Sequence, residues 1–232
     1  MNSHSNEKFG VRESIKIDSF PKRVLSYNVI VEVDPEPYTK LGKSNLLLGD
    51  IEDITTEKKR FNPAAHAVRH GVVRLVCEKK RMPVGKKKDG YVDIELQEGD
   101  LVWFSYYEGI NAPLLEYKEK YFYILPYISL YVRKRGNEIY PLNGSILCTP
   151  KQIEEVNGII LGNAMPLNKA EVSFVGQMPS NVSESDVPPV GSDVYSTAPV
   201  IMLEDDNHLL LNGNPYRVLN IEQISAYDNK QV

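Results

Sequence analysis

Apolar residues along this chain recur mostly at a period of two, in short runs closed by Pro, Gly or Asp, which is the pattern of half-buried strands. Residues 24–33 (VLSYNVIVEV) open the series, and Asp34, Pro35, Glu36 and Pro37 stop it, because proline donates no ladder hydrogen bond. Residues 71–77 (GVVRLVC) predict a second strand, and residues 92–96 (VDIEL) alternate strictly. Asp89-Gly90 between strand-like residues predicts a hairpin turn. Glu98-Gly99-Asp100 predicts a tight turn before residues 101–104 (LVWF), a strand apolar enough to be buried on both faces. Residues 121–126 (YFYILP) and 130–132 (LYV) close this unit. Helix signals are scarce, so the expected class is all-β.

From Pro141 the same order of events returns. Residues 146–148 correspond to 29–31, residues 171–175 to 72–76, and residues 190–195 to 97–102. Residues 216–219 with 221–224 correspond to 122–125 with 127–130. Each unit also carries an aliphatic triplet beside glycine in a polar segment: Leu46-Leu47-Leu48 before Gly49, and Ile159-Ile160-Leu161 between Gly158 and Gly162. Two readings of the triplets stay open, a strand continuing or an apolar tip held out for a partner. The expected organisation is an arm over residues 1–21, a first domain over 22–135 and a second over 136–232. The arm has a weak alternation at residues 14–17, and an arm ordered in an assembly and a plain tail are both open.

Composition narrows the function. At 232 residues with 42% hydrophobic content, the chain can bury a core. A net charge of -4 argues against a protein that coats nucleic acid with its whole surface. No apolar run reaches the roughly 18 residues that span a bilayer, and the N-terminus lacks the apolar stretch of a signal peptide. Cys77 and Cys148 have no metal-type spacing and sit in apolar strands, so buried free thiols are expected. These features fit a cytoplasmic protein with no membrane partner.

Several segments resemble the GroES-type co-chaperonin family, the chaperonin-10 fold. Residues 141–147 (PLNGSIL) resemble that family's opening segment, and residues 158–161 (GIIL) its mobile loop. Residues 170–176 (AEVSFVG) and 191–195 (GSDVY) are similar to two later landmarks. In the first unit, residues 71–73, 98–104 and 121–125 resemble the same landmarks. The resemblance spans about residues 22–228. It implies two tandem GroES-like irregular Greek-key β-barrels with long loops, in a homo-oligomeric ring that caps a chaperonin of the host. Chaperonin binding would fall to Ile159, Ile160 and Leu161, with Leu46, Leu47 and Leu48 as the second set. One triplet buries roughly 200–300 Å², a few kcal/mol at about 25 cal/mol per Å². That is weak alone, and many copies in a ring make it tight yet releasable.

The resemblance places a roof hairpin at residues 79–91 of the first unit and at residues 177–189 of the second. Lys79, Lys80, Arg81, Lys86, Lys87 and Lys88 lie in the first. A solvated hairpin tip is the plainer reading of that basic run. Phosphate contact is the other, and the run lacks the aromatic interleaving that stacks bases. The sequence departs from the family in its tandem arrangement, its first triplet and the insertion at residues 51–60. The long arm and the divergence resemble a bacteriophage-encoded version.

Candidate chemistry is sparse. His66 and His70 are four apart but between Pro63 and Gly71, which leaves no room for a shared helix face and so no expected metal site. No nucleophile and base stand in catalytic context, no phosphate-cradling loop is present, and no cofactor is implied. The first functional expectation is a non-enzymatic co-chaperonin in a bacterial host cytoplasm. The second is a structural ring or connector subunit of a bacteriophage virion, head-tail or capsid-associated, meeting other virion proteins.

Overall fold

The computed structural model describes residues 14–34, 39–40, 47–48, 69–85, 89–150, 169–196, 208–211 and 214–228. The first strands are β1 (Ile15–Lys16), β2 (Asn28–Val33), β3 (Thr39–Lys40), β4 (Leu47–Leu48), β5 (His70–Val76), β6 (Arg81–Val84), β7 (Gly90–Asp93) and β8 (Leu101–Phe104). A six-residue helix, α1 (Tyr106–Asn111), leads to β9 (Leu114–Tyr117), β10 (Lys120–Pro126), β11 (Leu130–Arg135) and β12 (Glu138–Pro141). Then come β13 (Ser145–Pro150), β14 (Lys169–Val175), β15 (Asp193–Ser196), β16 (His208–Leu211), β17 (Asn214–Asn220) and β18 (Ile224–Asp228).

Eight strands form one sheet in the order β1-β9-β10-β2-β5-β8-β11-β12, and six form another in the order β16-β17-β13-β14-β15-β18. The pairs β3 with β4 and β6 with β7 stand outside both. The protein is therefore all-β in class. The expectation of barrels is met only at that coarser level, since no pairing among the described residues closes either sheet. Among the described residues no helix is long and apolar enough to cross a membrane.

The two sheets repeat one plan. The stretch β9-β10-β2-β5-β8-β11 matches β16-β17-β13-β14-β15-β18 strand for strand, in the same chain order. The irregularities match as well. Pairing of β2 with β5 slips between Ile30 and Val31, and pairing of β13 with β14 slips between Leu147 and Cys148. A second slip falls between Leu130 and Val132 against β8, and between Tyr195 and Ser196 against β18. The Gly99 amide donates to the Val73 carbonyl at 2.9 Å, and the Gly191 amide to the Val172 carbonyl at 2.8 Å. Both glycines need positive φ, 93° and 86°, which is why glycine closes each turn.

Matching register gives the equivalences expected for residues 29–31, 72–76 and 122–125. One expectation needs correction: Gly191 stands where Gly99 does, so residues 190–195 match 98–103, one position later than 97–102. The sequence gives no register there because the turn, not an apolar alternation, sets it.

Alternation explains the core. Val29, Val31 and Val33 of β2 enter one cluster with Val73, Phe104 and Leu125, while Ile30 faces the other side with Leu115 and Phe122. In β13, Ile146 and Cys148 enter the second sheet's own cluster, and Leu147 faces Trp103 and Val132 of the first sheet. Both strands are thus covered on two faces, which is why each reads as a near-continuous apolar run. Ile17 and Phe20 of the arm, with Val24 just after it, cover the outer side of β2 and β10, and β1 adds to β9 in parallel.

Three further expectations are corrected. The first long strand starts at Asn28, not Val24, because Ser26 takes φ 58° in a turn. The expected hairpin is present, but Gly90 already lies inside β7, paired with Val84, and among the described residues of the connection the positive φ falls at Gly85. β12 belongs to the first sheet through β11, so that sheet runs to Pro141, past a junction at 135/136.

Candidate functional site

The two segments expected as roofs lie side by side. In the first, β6 pairs with β7 from Arg81 opposite Asp93 to Val84 opposite Gly90. Met82 and Val92 point inward, while Arg81, Tyr91 and Asp93 face solvent. Arg81 Nε donates to Asp93 at 2.8 Å, and its guanidinium lies 4.4 Å from the Tyr91 ring centre. The hydrogen bond to Asp93 raises the Arg81 pKa further. The Lys79 ammonium sits 4.7 Å over the Tyr27 ring, and Lys80 is exposed. Two of the described cations are thus engaged within the chain, which favours the solvated-hairpin reading for that half of the run. Lys86, Lys87 and Lys88 lie outside the described residues.

The second segment, from Gln177 onward, is stitched to this hairpin. The Ser180 amide donates to the Tyr91 carbonyl at 2.9 Å, and the Tyr91 amide donates to Ser180 Oγ at 3.0 Å. Gln177 Nε2 donates to the Asp93 carbonyl at 2.6 Å, and the Tyr127 hydroxyl bridges that carbonyl at 3.1 Å and Gln177 Oε1 at 3.3 Å. The Asn181 carboxamide lies where a Cβ on Gly90 would stand, so a side chain there would make Asn181 turn aside. Burial pushes the Tyr127 phenol well above its ordinary range, so it stays a neutral donor.

One turn further back, Asn143 Nδ2 donates to the Tyr127 carbonyl at 2.8 Å and the Leu130 carbonyl at 2.9 Å. The Gly144 amide donates to the Gln177 carbonyl at 2.9 Å. Asn143 and Gly144 hold φ of 56° and 76° to make this turn. These hydrogen bonds tie the segment after β11 and the segment after β14 to the first sheet. No local pattern in the sequence announces the joint, because it matches backbone groups about 90 residues apart.

Among the described residues no cluster of His, Cys, Asp and Glu is placed to hold a metal ion. His70 stacks on Trp103 at 6.2 Å, and His66 lies outside the described residues. Burial pushes the Cys148 thiol up to about 12, far from a reactive thiolate. Cys77 is also free and buried.

Of the expected docking triplets, Leu46, Ile159, Ile160 and Leu161 lie outside the described residues. Leu47 and Leu48 form β4, with Leu48 opposite Thr39 and Leu47 opposite Lys40. No protein-family model matches the chain, and no curated protein matches it.

Proposed function

We propose that this chain is a non-enzymatic co-chaperonin: two chaperonin-10-like modules in tandem, assembling into a ring that caps a host chaperonin. The observation that carries the reading is the repeat of six strands in one order, with two bulges and a positive-φ glycine at equivalent places. Tandem duplication departs from the family's usual single module, and it sets two connecting segments, residues 35–68 and 151–168, at equivalent places in the chain between β2 and β5 and between β13 and β14. Those segments carry Leu46-Leu47-Leu48 and Ile159-Ile160-Leu161. In this reading the hairpin and loop described above take the roof positions, where the exposed Lys79, Lys80 and Arg81 meet solvent or an acidic client. A bacteriophage origin and a host-cytoplasm location belong to the same proposal.

The test is retention of the full chain by an immobilised chaperonin with and without ATP. Binding is expected only with nucleotide, and Ile160→Asp is expected to abolish it without changing the melting temperature. Failure of the wild type to bind any host chaperonin, together with its recovery in purified virions by mass spectrometry, would transfer the fold to the structural ring reading.

A further inference from the structure

The two sheets repeat one plan but differ at one edge. In the first sheet β9 is covered: β1 adds to it in parallel, with Ile15 opposite Leu115 and Lys16 opposite Glu116. The Ile17 amide donates to the Glu116 carbonyl at 3.0 Å, so Glu116 turns its backbone outward to the added strand. The Glu116 side chain holds that strand as well, accepting the Ser14 hydroxyl at 2.6 Å and lying 3.6 Å from the Lys16 ammonium. The second sheet ends at β16, the equivalent of β9, and among the described residues β16 pairs only with β17.

Register makes the open edge a matching slot. Pro215 lies opposite Leu210 as Tyr121 lies opposite Glu116, and Pro215 and Tyr121 are equivalent. Leu210 therefore stands where Glu116 does, with Leu209 at the place of Leu115 and Leu211 at that of Tyr117. Proline has no N–H to give, so Pro215 and Leu210 form a non-hydrogen-bonded pair of the antiparallel ladder. In such a pair the N–H and C=O of Leu210 point away from β17, out to the free edge. β9 is guarded by an ion pair and a covering strand. β16 (HLLL) carries no acid, lysine, arginine or proline, and its pairing with β17 runs without a bulge. It lacks the devices with which natural sheets protect an edge.

We propose that β16 takes up an extended, uncharged apolar segment of an unfolded polypeptide as an added parallel strand, held as β1 is held on β9. Register dictates the chemistry of the occupant. β1 meets Leu115 with Ile15 and Glu116 with Lys16. At β16 leucine stands at both places, so a lysine in the middle of the added strand loses its acid, and an aliphatic residue there gains a cross-strand contact. The strand's end comes beside Leu211, which belongs to the apolar cluster shared with Trp103 and Val132. An apolar run with its backbone unpaired is what an unfolded chain exposes and a folded one hides. The slot gives the chain a grip on clients of its own, beyond the co-chaperonin reading and independent of it, since it depends on β16 alone.

Fluorescence anisotropy of dye-labelled peptides titrated with the full chain tests it. One peptide is residues 13–19 with Lys16→Leu, and the other is the same residues unaltered. The chain's own tethered arm keeps β9 occupied against both. The wild type is expected to bind the Lys16→Leu peptide about tenfold more tightly than the unaltered one. Leu210→Glu is expected to reverse that preference, because it restores the acid that Lys16 meets on β9. Leu210→Pro removes the outward N–H at a place where an edge strand tolerates proline. It is expected to lose the Lys16→Leu peptide with an unchanged circular-dichroism melt. Reduced, carboxymethylated α-lactalbumin, a permanently unfolded chain, is expected to displace that peptide from the wild type. A wild type that binds neither peptide, a Leu210→Glu that keeps the original preference, or a Leu210→Pro that binds as the wild type does would overturn the slot. Tighter binding of the unaltered peptide by the wild type would overturn it too, and give the edge to the arm of a second copy. Failure of the unfolded chain to compete would overturn the assignment of the occupant. Retention by immobilised chaperonin does not depend on β16, so the two readings fail separately.

Discussion

Equivalent positions in the two sheets act as internal controls at the level of single residues. Gly71 and Ala170 occupy the same place, opposite Val102 and Val194. A Cβ on Gly71 would collide with the Glu32 carbonyl and press on Val31 and Val33, whereas Ala170 is fully buried without difficulty. Gly71→Ala is expected to destabilise by about 1–3 kcal/mol through overpacking, and Ala170→Gly by about 0.5–1 kcal/mol through backbone entropy. Urea denaturation of the two variants checks the asymmetry. Glu32 gives a pH signature. Burial pushes its carboxyl up, but hydrogen bonds from Lys120 at 2.9 Å and Arg74 at 2.7 Å outweigh that and leave the pKa below its ordinary 4.5. A carboxylate whose folded pKa is lowered stabilises above its unfolded pKa, and that contribution is lost as pH falls through the folded value. Glu32→Gln should therefore be about 0.5–1 kcal/mol less stable than wild type at pH 7, with the gap closing below about pH 4. Melting curves across pH 3–7 on both proteins measure it.

At the scale of elements, the hairpin β6–β7 and the loop after Gln177 gain their order from each other. Their mutual bonds are between backbone groups and short side chains, so a change confined to the loop should be felt in the hairpin. Ser180→Pro removes the amide that reaches Tyr91 and the hydroxyl that Tyr91 reaches. Amide exchange at Tyr91 is expected to quicken by one to two orders of magnitude, as for loss of about 1–3 kcal/mol of local protection. Exchange in β2 and β13 should not change, and equal protection of Tyr91 in the variant would show the two segments to be independent. What the sequence made legible follows the same division. β8, β10 and β14 were readable because each is an apolar or alternating run bounded by turn residues, and burial on one or two faces enforces that pattern. The hairpin itself is legible from Asp89-Gly90, but its register is not, since Gly90 already pairs with Val84. Helix α1 was missed because six residues with one glycine carry no 3.6 period. The basic run was legible as a hairpin but not as cations partly engaged by Asp93, Tyr91 and Tyr27, since those partners are set by register and packing.

For the whole molecule the question is whether the repeated sheets fold as one body or two. The repeat alone predicts two, since each sheet has its own apolar cluster. The junction argues for one. Leu142 sits in the first sheet's core although it leads into β13, and Leu147 of β13 packs with Trp103 and Val132 across the boundary. Trp103 is the chain's single tryptophan, so its fluorescence reports on that shared cluster while far-ultraviolet circular dichroism reports on both sheets. In the wild type the two probes should lose signal together on heating, the behaviour of one cooperative unit. Leu147 is fully buried, and Leu147→Ala removes about 2–5 kcal/mol of contact and cavity energy. That loss falls on the second sheet's side of the boundary, yet the Trp103 transition should move down with it, and at this deficit the two probes should begin to separate as the sheets come apart before both unfold. If Trp103 fluorescence were indifferent to Leu147→Ala, the coupling of the two sheets would rest on residues 136–144 and on the joint of Gln177 and Ser180 with Asp93 and Tyr91.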